Sequence, residues 1–436
     1  MSRQITVAIA GTGSRGGGTY AQYQKKFPER MKIVALADPD TVRMNLLAKE
    51  FDVPAERCFA SAEELLAQPK LADVMIIATQ DRQHVAQAVP ALRKGYDILL
   101  EKPISNDPYA IMELLRTAHE TGRAVTICHV LRYTPFYGKI KQLISEGAIG
   151  EPVAIHAIEN VGYWHQAHSF VRGNWANSDV QSPMILQKSC HDMDIILWLM
   201  GKNCTRVSSY GSLKVFRPEM APEGATETCL GGCRCKEECP YDAEKVYITN
   251  STGVASGNTE WPVDVVVPEP TVERVREALK TSPYGRCVYH CDNNVVDHQA
   301  VVMDFEDGST ATFTMAAFTK RTAREIKVMG TAGELVGDMN TNLVTVYPFS
   351  GEDQVYDISK LAEDFSGHGG GDHRMMSEFF DMLEGKESET LTSIDVSVQS
   401  HLMSLAAEKS RVEGRQVSMS EMCGVSLQEL RERYSK

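Results

Sequence analysis

Apolar runs alternate with helical patterns over the first 130 residues of the chain. The apolar runs cover residues 5–11, 32–38, 73–79, 97–103 and 124–130. Between them, residues 85–95 and 109–122 repeat apolar positions at the spacing of an amphipathic helix. Unbroken apolar runs are typical of strands buried on both faces, and strands that alternate with helices form right-handed βαβ units. The pattern therefore predicts a doubly wound parallel sheet covered by helices.

The pattern changes after about residue 133. Alternation of apolar and polar positions covers residues 152–162, 298–318 and 325–333, and helical patterns cover 375–385 and 397–411. Such alternation is typical of strands with one buried face. Asp307 and Gly308 form a turn dipeptide within the second stretch and predict a hairpin there. This part is expected to form an open, mostly antiparallel sheet with helices.

These patterns predict an α/β protein of two domains. Residues 1–130 are expected to form the parallel-sheet domain. Residues 131–436 are expected to form an α+β domain with the open, mostly antiparallel sheet. An irregular stretch at about residues 215–297, rich in Cys, Pro and Gly, is interpreted as an insertion in the second domain.

Composition narrows the possible partners and location. The 436 residues are 43% hydrophobic and 24% charged, which is typical of a globular protein. The net charge of −13 disfavours nucleic acid and anionic membranes as partners. The longest apolar runs, residues 74–78 and 195–200, are too short to span a membrane. Because the N-terminus has no signal-peptide pattern, we expect a cytoplasmic protein with reduced cysteines.

The sequence GTGSRG follows the first predicted strand directly. Its glycines have the spacing G-x-G-x-x-G, which permits a tight turn and the close approach of a pyrophosphate to a helix start. Asp38 ends the next predicted strand, where an acidic residue binds the adenosine ribose. That carboxylate would repel a 2′-phosphate, so the sequence favours NAD over NADP. The expected cofactor contacts of this Rossmann-type domain are Gly11, Gly13, Ser14, Arg15, Gly16 and Asp38.

A set of motifs resembles one oxidoreductase family. The motifs are GTGSRG (11–16), ADPD (37–40), ATQDRQH (78–84), EKP (101–103) and GTAGEL (330–335). Together they resemble the glucose–fructose oxidoreductase/inositol dehydrogenase (Gfo/Idh/MocA) family. The resemblance implies a second domain whose open sheet mediates oligomers, so we expect a homodimer or homotetramer. It also places Thr79, His84, Glu101 and Lys102 around the cofactor, with Lys102 at the active site.

A second family motif, approximately D-x-G-x-H-x-x-D, begins a helix and supplies the general acid/base. The stretch QKSCHDMD (187–194) matches it with His191 and Asp194. Gln187 stands where the family has Asp, and Lys188 adds a cation. The usual Lys–Asp–His trio is therefore incomplete, which leaves Asp192 or Asp194 to orient His191.

These residues suit hydride transfer at a secondary hydroxyl carbon. Imidazole has a pKa near 6.5 and accepts a proton at neutral pH. An ammonium group stabilises the developing alkoxide. We therefore expect an NAD-dependent oxidoreductase of a sugar, cyclitol or glycoside, with Lys102 and His191 as catalytic residues. Two alternatives remain open: NAD-dependent glycoside cleavage through transient oxidation at C3, and a non-enzymatic NAD sensor.

Substrate contacts are expected from two further stretches. Residues 162–175 are rich in Trp, His, Arg and Asn, which bind sugars through aromatic faces and polar groups. Residues 367–373 form a glycine run that could close over a substrate or simply link two elements. Tyr133, just after the predicted strand at residues 124–130, and residues of the family motif are added to these. The expected substrate contacts are Tyr133, Trp164, His165, His168, Arg172, Asn174, Trp175, Gln187, Lys188, Asp194 and His368.

Six cysteines in two groups lie in the insertion. In a reducing compartment such clusters are more typical of metal sites than of disulfides. The hypothesis is a structural zinc held by Cys229, Cys233, Cys239 and Cys287, with Cys235 and Cys291 in reserve. The spacing is not that of common zinc knuckles, and an iron–sulfur cluster or plain thiols remain alternatives. Zinc would stabilise an insertion in which no apolar core is evident.

Overall fold

The computed structural model describes residues 3–362, 364–386, 388 and 390–423. The first domain contains a six-stranded sheet in which all paired neighbours are parallel. Its strands are β1 (Ile5–Ala10), β2 (Met31–Ala37), β3 (Cys58–Phe59), β4 (Val74–Ile77), β5 (Asp97–Leu100) and β6 (Val125–Ile127). The spatial order β3-β2-β1-β4-β5-β6 confirms the predicted Rossmann sheet. Only β3 had no signal in the sequence, because two residues are too few to show a pattern.

Helices cover the faces of this sheet. They are α1 (Tyr23–Lys26), α2 (Thr41–Glu50), α3 (Ala62–Ala67), α4 (His84–Arg93) and α5 (Pro108–Thr121). Asp40 caps α2 through the Arg43 N–H, and Ser61 caps α3 through the Glu64 N–H. Strand order reverses between β1 and β4, so the carboxyl ends of these strands form the crevice where such sheets bind ligands.

The second domain contains a nine-stranded sheet. Its strands are β7 (Pro152–Asn160), β8 (Cys204–Ser212), β9 (His298–Phe305), β10 (Thr310–Ala316), β11 (Ala323–Gly330), β12 (Gly333–Asp338), β13 (Leu343–Pro348), β14 (Gln354–Asp357) and β15 (Val417–Ser418). Among the described strands, β7 and β10 form the one parallel pair, and the other neighbours are antiparallel. The mostly antiparallel sheet and the hairpin at Asp307 and Gly308 are confirmed.

One predicted strand is two strands. The alternation over residues 325–333 predicted a single strand, but the chain turns at residues 331–332 between β11 and β12. Gly330 and Gly333 flank this turn, and a Cβ on either would lie within 3 Å of neighbouring backbone atoms. The alternation of apolar and polar positions continues through this tight turn. Periodicity alone therefore did not indicate where β11 ends and β12 begins.

The second domain also contains helices, some of which pack against its sheet. They are α6 (Pro135–Ser145), α7 (Tyr163–His165), α8 (Met184–Gln187), α9 (Cys190–Met200), α10 (Val263–Val266), α11 (Val272–Ala278), α12 (Ser366–Leu383), α13 (Ile394–Glu413) and α14 (Ser420–Cys423). Contacts join α9 to β7 and α13 to β8. None of the helices in the described ranges is long and apolar enough to cross a membrane.

The insertion has an apolar core of its own. Val246, Tyr247, Val263 and Val275 are buried in it and bring α10 and α11 together. This core was not evident from the sequence, because its residues come from short, separate segments. Because this apolar core stabilises the insertion, a structural metal is not needed to hold it together.

Candidate functional site

A cleft of about 750 Å³ lies between the Rossmann sheet and the second domain. Gly11 after β1, Thr79 after β4 and Lys102 after β5 form its first wall. His165 and His191 line the opposite wall. The cleft therefore joins the predicted cofactor loop to the two predicted catalytic residues, at the carboxyl ends of the strands.

The glycines of the loop after β1 serve two different purposes. Gly11 has φ +86°, and a Cβ there would lie 2.3 Å from the Ala78 oxygen. A Cβ on Gly16 would lie 1.9 Å from the Gly11 oxygen. Gly13 differs, because a Cβ there would have the Arg43 guanidinium carbon, at 4.0 Å, as its nearest neighbour. Gly13 also lines the cleft. Gly11 and Gly16 are thus required by the turn, and Gly13 leaves space for a pyrophosphate.

Asp38 lies at the end of the cleft expected to hold the adenosine. Its Oδ2 accepts hydrogen bonds from the Thr12 N–H at 2.6 Å and the Thr12 hydroxyl at 2.9 Å. Burial alone would raise the pKa of Asp38, but bonds from the Thr12 and Asp40 N–H groups and the charge of Arg43 lower it overall. The carboxylate is therefore ionised at neutral pH. Arg43 is half-exposed, and a ribose hydroxyl could replace it as a partner.

Arg15 joins the glycine loop to the second domain. Its guanidinium donates to Glu101 and to Asp372, each at 2.6 Å, and to the Tyr20 hydroxyl at 2.6 Å. Arg15, Glu101 and Ser14, which the sequence predicts as cofactor contacts, line the cleft. The charges of Arg15 and Glu101 are compensated inside this network. Their first role is to connect the cofactor loop, β5 and α12.

His84 ties two strand ends together. Its Nδ1 lies 2.7 Å from the Pro103 oxygen and its Nε2 lies 3.1 Å from the Thr79 oxygen. The Thr79 hydroxyl donates to the Gln87 side chain at 2.7 Å. Both predicted cofactor contacts, His84 and Thr79, line the cleft, and these bonds fix the backbone after β4 and β5.

Lys102 reaches across the cleft to the second domain. Its Nζ donates a hydrogen bond of 2.9 Å to the main-chain oxygen of Gln187. The Gln187 side chain lines the cleft, and its buried Oε1 has no hydrogen-bond partner in the described part of the chain. Gln187 therefore holds Lys102 through its backbone, which leaves its side-chain amide available to a substrate.

His191 lacks the carboxylate partner that the sequence suggested. Asp194 accepts two hydrogen bonds of 2.6 Å from Arg132, and Asp192 accepts from Arg324 at 2.8 and 3.2 Å. Burial and the charge of Lys102 hold the pKa of His191 well below its usual range. The expectation that Asp192 or Asp194 orients His191 is wrong, since both carboxylates are committed to arginines.

Lys188 lines the cleft above a buried ion-pair group. Its Nζ lies 3.2 Å from Oε1 of the fully buried Glu159, which also pairs with Arg324. Burial lowers the pKa of Lys188, although Glu159 opposes the shift. Lys188 therefore brings a partly compensated cation to the wall that also carries His191.

Several of the other predicted substrate contacts meet in the cleft. They are His165, His168, Asn174, Trp175 and His368. The His168 ring stacks on Tyr284 at 4.9 Å, and its Nδ1 lies 3.0 Å from the Tyr247 hydroxyl. Burial lowers the pKa of His168 to about 3, so this histidine is neutral. The pKa of His165 is likewise well below its usual range because of burial and Lys188.

Four predicted substrate contacts lie elsewhere. Tyr133 is buried and bonded to Thr392, and Asp194 is buried against its arginine. Arg172 is buried in the insertion, where it donates to two main-chain oxygens. Trp164 packs against the insertion core and not on the cleft. Local composition predicted Trp164 and Arg172, the position after the sixth strand predicted Tyr133, and the family motif predicted Asp194. Burial and long-range partners decide which side chains reach a cleft.

The insertion contributes cleft residues that sequence analysis missed. Trp261, Val265 and Tyr284 line the cleft. The Trp261 ring lies 4.9 Å from His165 and 5.1 Å from His168. Asp81 also lines the cleft, on the Rossmann side. The signal that could have indicated Trp261 is an aromatic residue in the insertion. No pattern in the neighbouring sequence shows that the insertion folds back to the cleft.

The cysteines of the insertion surround a small pocket. It is lined by Cys229, Cys233, Cys235, Cys239 and Cys287 with Arg172. Within the residues that the structure describes, no group of three or more His, Cys, Asp or Glu side chains is placed to hold a metal ion. The cysteines with described side chains are free thiols. The structure therefore does not support the predicted zinc site. The apolar core of the insertion stabilises this segment without a metal.

The fold and this cleft define a dinucleotide-dependent oxidoreductase. A family model described as "Oxidoreductase family, NAD-binding Rossmann fold" matches residues 5–129. Its companion, "Oxidoreductase family, C-terminal alpha/beta domain", matches residues 141–419. The chain therefore belongs to the Gfo/Idh/MocA family, as the motifs suggested, and is an NAD(P)-dependent oxidoreductase acting on CH–OH groups.

Similar proteins agree with this assignment. The oxidoreductase YteT of Bacillus subtilis is 23% identical over 409 residues, which cover 88% of this chain and 92% of YteT. The scyllo-inositol 2-dehydrogenase (NAD(+)) of the same organism is 26% identical and covers 65% of this chain and 70% of its own. An Agrobacterium radiobacter oxidoreductase, solved with NAD+, L-tartaric acid and magnesium, has a TM-score of 0.66 at 16% identity and covers 96% of this chain and 99% of its own. The last likeness shows the fold.

Proposed function

We propose that this protein transfers a hydride between NAD and a secondary hydroxyl carbon of a sugar, cyclitol or glycoside. The observation that carries the proposal is the position of Lys102 and His191 in one cleft with the glycine loop. Similar proteins named inositol 2-dehydrogenase support a cyclitol or sugar as the substrate class.

NAD is the proposed cofactor, and it supplies the hydride acceptor at the nicotinamide when bound. The residues that would hold it are Gly11, Gly13, Ser14, Asp38 and Thr79. Gly13 leaves space at the loop, and the ionised carboxylate of Asp38 suits a ribose hydroxyl and opposes a 2′-phosphate. These features support NAD over NADP.

Lys102 is proposed to donate a hydrogen bond to the reacting hydroxyl and to stabilise the alkoxide as it forms. Its ammonium is fixed by the Gln187 oxygen at 2.9 Å, so little reorganisation is needed during the reaction. His191 lies on the opposite wall, and its neutral ring can hydrogen-bond the same oxygen. Asn174, Trp175 and the side chain of Gln187 are proposed to contact the rest of the ring.

A second function is favoured by one feature of the cleft. Trp261 and Tyr284 from the insertion add an aromatic wall beyond the catalytic residues. Such a wall can hold a second sugar ring or an aglycone by stacking. NAD-dependent glycoside cleavage, in which transient oxidation acidifies a neighbouring C–H and permits elimination, would use that space.

The two functions are separated by their products. Purified protein with NAD is offered myo-inositol, scyllo-inositol, methyl glycosides and nitrophenyl glycosides. A dehydrogenase accumulates NADH with the preferred alcohol, whereas a glycoside-cleaving enzyme releases nitrophenol with catalytic NAD and no net NADH. Binding of NAD with neither product would contradict both functions and favour an NAD sensor.

We also propose a cytoplasmic homodimer or homotetramer. The nine-stranded sheet has helices on one face, and its other face exposes apolar side chains. Tyr210, Val302 and Val336 are 73%, 49% and 37% exposed there. Burying such a face against a second copy of the chain would remove this apolar area from water.

A further inference from the structure

The first residues of α12 form an unusual turn at the cleft. Gly367, His368, Gly369 and Gly370 all have positive φ, and His368 has φ 48° and ψ 44°. A side chain in this left-handed region is strained, and such strain persists where the surroundings impose it, often at active sites. Glycine neighbours make the turn possible, and the one residue with a side chain lines the cleft.

His368 is held by a carboxylate. Its Nδ1 lies 2.9 Å from Oδ2 of Asp372, which is four residues further along the chain. A carboxylate with a pKa far below neutral only accepts hydrogen bonds, and the pKa of Asp372 is lowered because bonds from His368 and Arg15 outweigh the effect of burial. Nδ1 therefore carries the hydrogen, and Nε2 is left as a proton acceptor.

Arg15 fixes Asp372 from the other side. Its Nη2 donates to Asp372 Oδ1 at 2.6 Å, and its Nη1 donates to Oδ2 at 3.2 Å. The same guanidinium binds Glu101 after β5. The orientation of the His368 ring is thus set by the cofactor loop itself.

His368 and His191 lie close together in the cleft. Their ring centroids are 6.2 Å apart. An oxygen atom between the two rings, with a hydrogen bond of about 2.8 Å to each of them, would leave their centroids at roughly this separation. Of the two, only His368 is oriented by a carboxylate. Both aspartates beside His191 pair with arginines, and Lys102 adds a charge that opposes protonation of its ring.

We propose that His368, positioned by Asp372, is the residue that takes the proton of the reacting hydroxyl. This proposal rests on the dehydrogenase function proposed above. The C–H hydrogen leaves as a hydride to the nicotinamide, the O–H proton moves to Nε2 of His368, and the carbon becomes a ketone. Lys102 stabilises the oxygen meanwhile, and the imidazolium returns its proton to solvent. Asp372 stabilises that imidazolium, as an orienting carboxylate does in hydrolytic triads.

The proposal predicts which histidine controls the acidic limb of the pH–rate profile. The groups that face His368 are Asp372, Arg15, His191 and His165. Asn tolerates positive φ, so His368→Asn preserves the turn. We expect this variant to lose about 10²–10⁴-fold in kcat/KM with NAD and the preferred cyclitol, and to lose the acidic limb. His191→Asn is expected to lower kcat but to retain that limb.

The chain supplies a matched control. Nδ1 of His298 lies 2.8 Å from Asp297 in the same kind of pair, on β9 and outside the cleft. His298→Asn is expected to leave both kcat and the pH profile unchanged. An acidic limb that survives in His368→Asn and disappears in His191→Asn would overturn the proposal. Equal NAD affinity in the variants, measured by titration, shows that the cofactor site is intact.

A measurement without turnover separates this proposal from the function on which it rests. Long-range ¹H–¹⁵N NMR of the wild-type chain reports the tautomer of His368, assigned by comparison with His368→Asn or, if that variant does not fold, His368→Gln. The expected tautomer carries its hydrogen on Nδ1 and changes in Asp372→Asn. A hydrogen on Nε2 in the wild type would overturn the proposal, whether or not a substrate has been found. Absence of NADH with every cyclitol and sugar would instead contradict the proposed function alone.

Discussion

The ammonium of Lys102 donates a hydrogen bond of 2.9 Å to the main-chain oxygen of Gln187. Lys102 follows β5 of the Rossmann domain, and Gln187 ends α8 of the second domain. One bond therefore connects the two domains at the point where the substrate hydroxyl is proposed to lie. It fixes the ammonium before any substrate binds.

Removing that ammonium is expected to affect catalysis and not cofactor binding. Lys102→Ala should lower kcat by about 10²–10³-fold, as does the loss of one preorganised oxyanion donor. The affinity for NAD should stay the same, because the loop glycines and Asp38 are unchanged. Steady-state kinetics and NAD titration measure the two effects. Lys25→Ala, at an exposed position of α1, is the control; equal losses in both variants would contradict the role of Lys102.

Asp38 is expected to set the cofactor preference. Asp38→Ser removes the acceptor of the ribose hydroxyl and the repulsion of a 2′-phosphate, and it releases Arg43. The ratio of kcat/KM for NAD over NADP should fall by about 10–100-fold, as expected for one charged hydrogen bond. Asp40→Asn retains the helix cap and should keep the wild-type ratio. A wild-type preference for NADP would contradict the hypothesis that Asp38 binds the ribose hydroxyl and repels a 2′-phosphate.

Trp261 is expected to bind the part of a glycoside that lies beyond the reacting ring. Trp261→Ala should raise KM for a methyl or aryl glycoside by about tenfold, since one stacked ring contributes about 1 kcal/mol beyond its buried area. KM for a free cyclitol should change little. Phe349→Ala removes an exposed aromatic residue at a distance from the cleft and is the control. An equal rise in KM for both substrates would place Trp261 at the reacting ring instead.

Asp194 is expected to matter for stability. Its bonds to Arg132 are both 2.6 Å, and both side chains are buried. Asp194→Asn should lower the free energy of unfolding by about 3–5 kcal/mol, because it leaves an uncompensated buried charge. Asp304→Asn breaks a more exposed pair with Arg206 and should cost less than about 1 kcal/mol. Urea titrations compare the two, and similar midpoints would contradict this view of the buried pair.

His401 is expected to steepen the loss of stability in acid. Burial and the neighbouring His129 lower its pKa to about 3, whereas a histidine in an unfolded chain titrates near 6.5. Between these values the unfolded chain binds the extra proton, so the free energy of unfolding falls as the pH falls, by about 1.4 kcal/mol per pH unit for this group. In urea titrations from pH 6 to pH 4, His401→Gln should reduce the slope of the free energy of unfolding against pH by this amount. His298 is more exposed, and His298→Gln should leave the slope unchanged.

The sequence by itself determined the sheet of the first domain and the main parts of the cleft. Apolar runs of strand length, the spacing of Gly11, Gly13 and Gly16, and acids or cations at strand ends are local signals. Because parallel strands bring their carboxyl ends to one edge, these signals also predicted that Asp38 and Lys102 would meet the glycine loop.

Only the tertiary structure decided which charges pair and which side chains reach the cleft. Arg15 meets Asp372 across 357 positions of sequence, and Arg132 takes Asp194 away from His191 across 62. The insertion that looked like a metal module has its own core and returns Trp261 to the cleft. Periodicity and spacing describe neighbours within one element. The partners of a buried charge depend on the path of the whole chain, because burial makes any charge pair with whatever the fold places beside it.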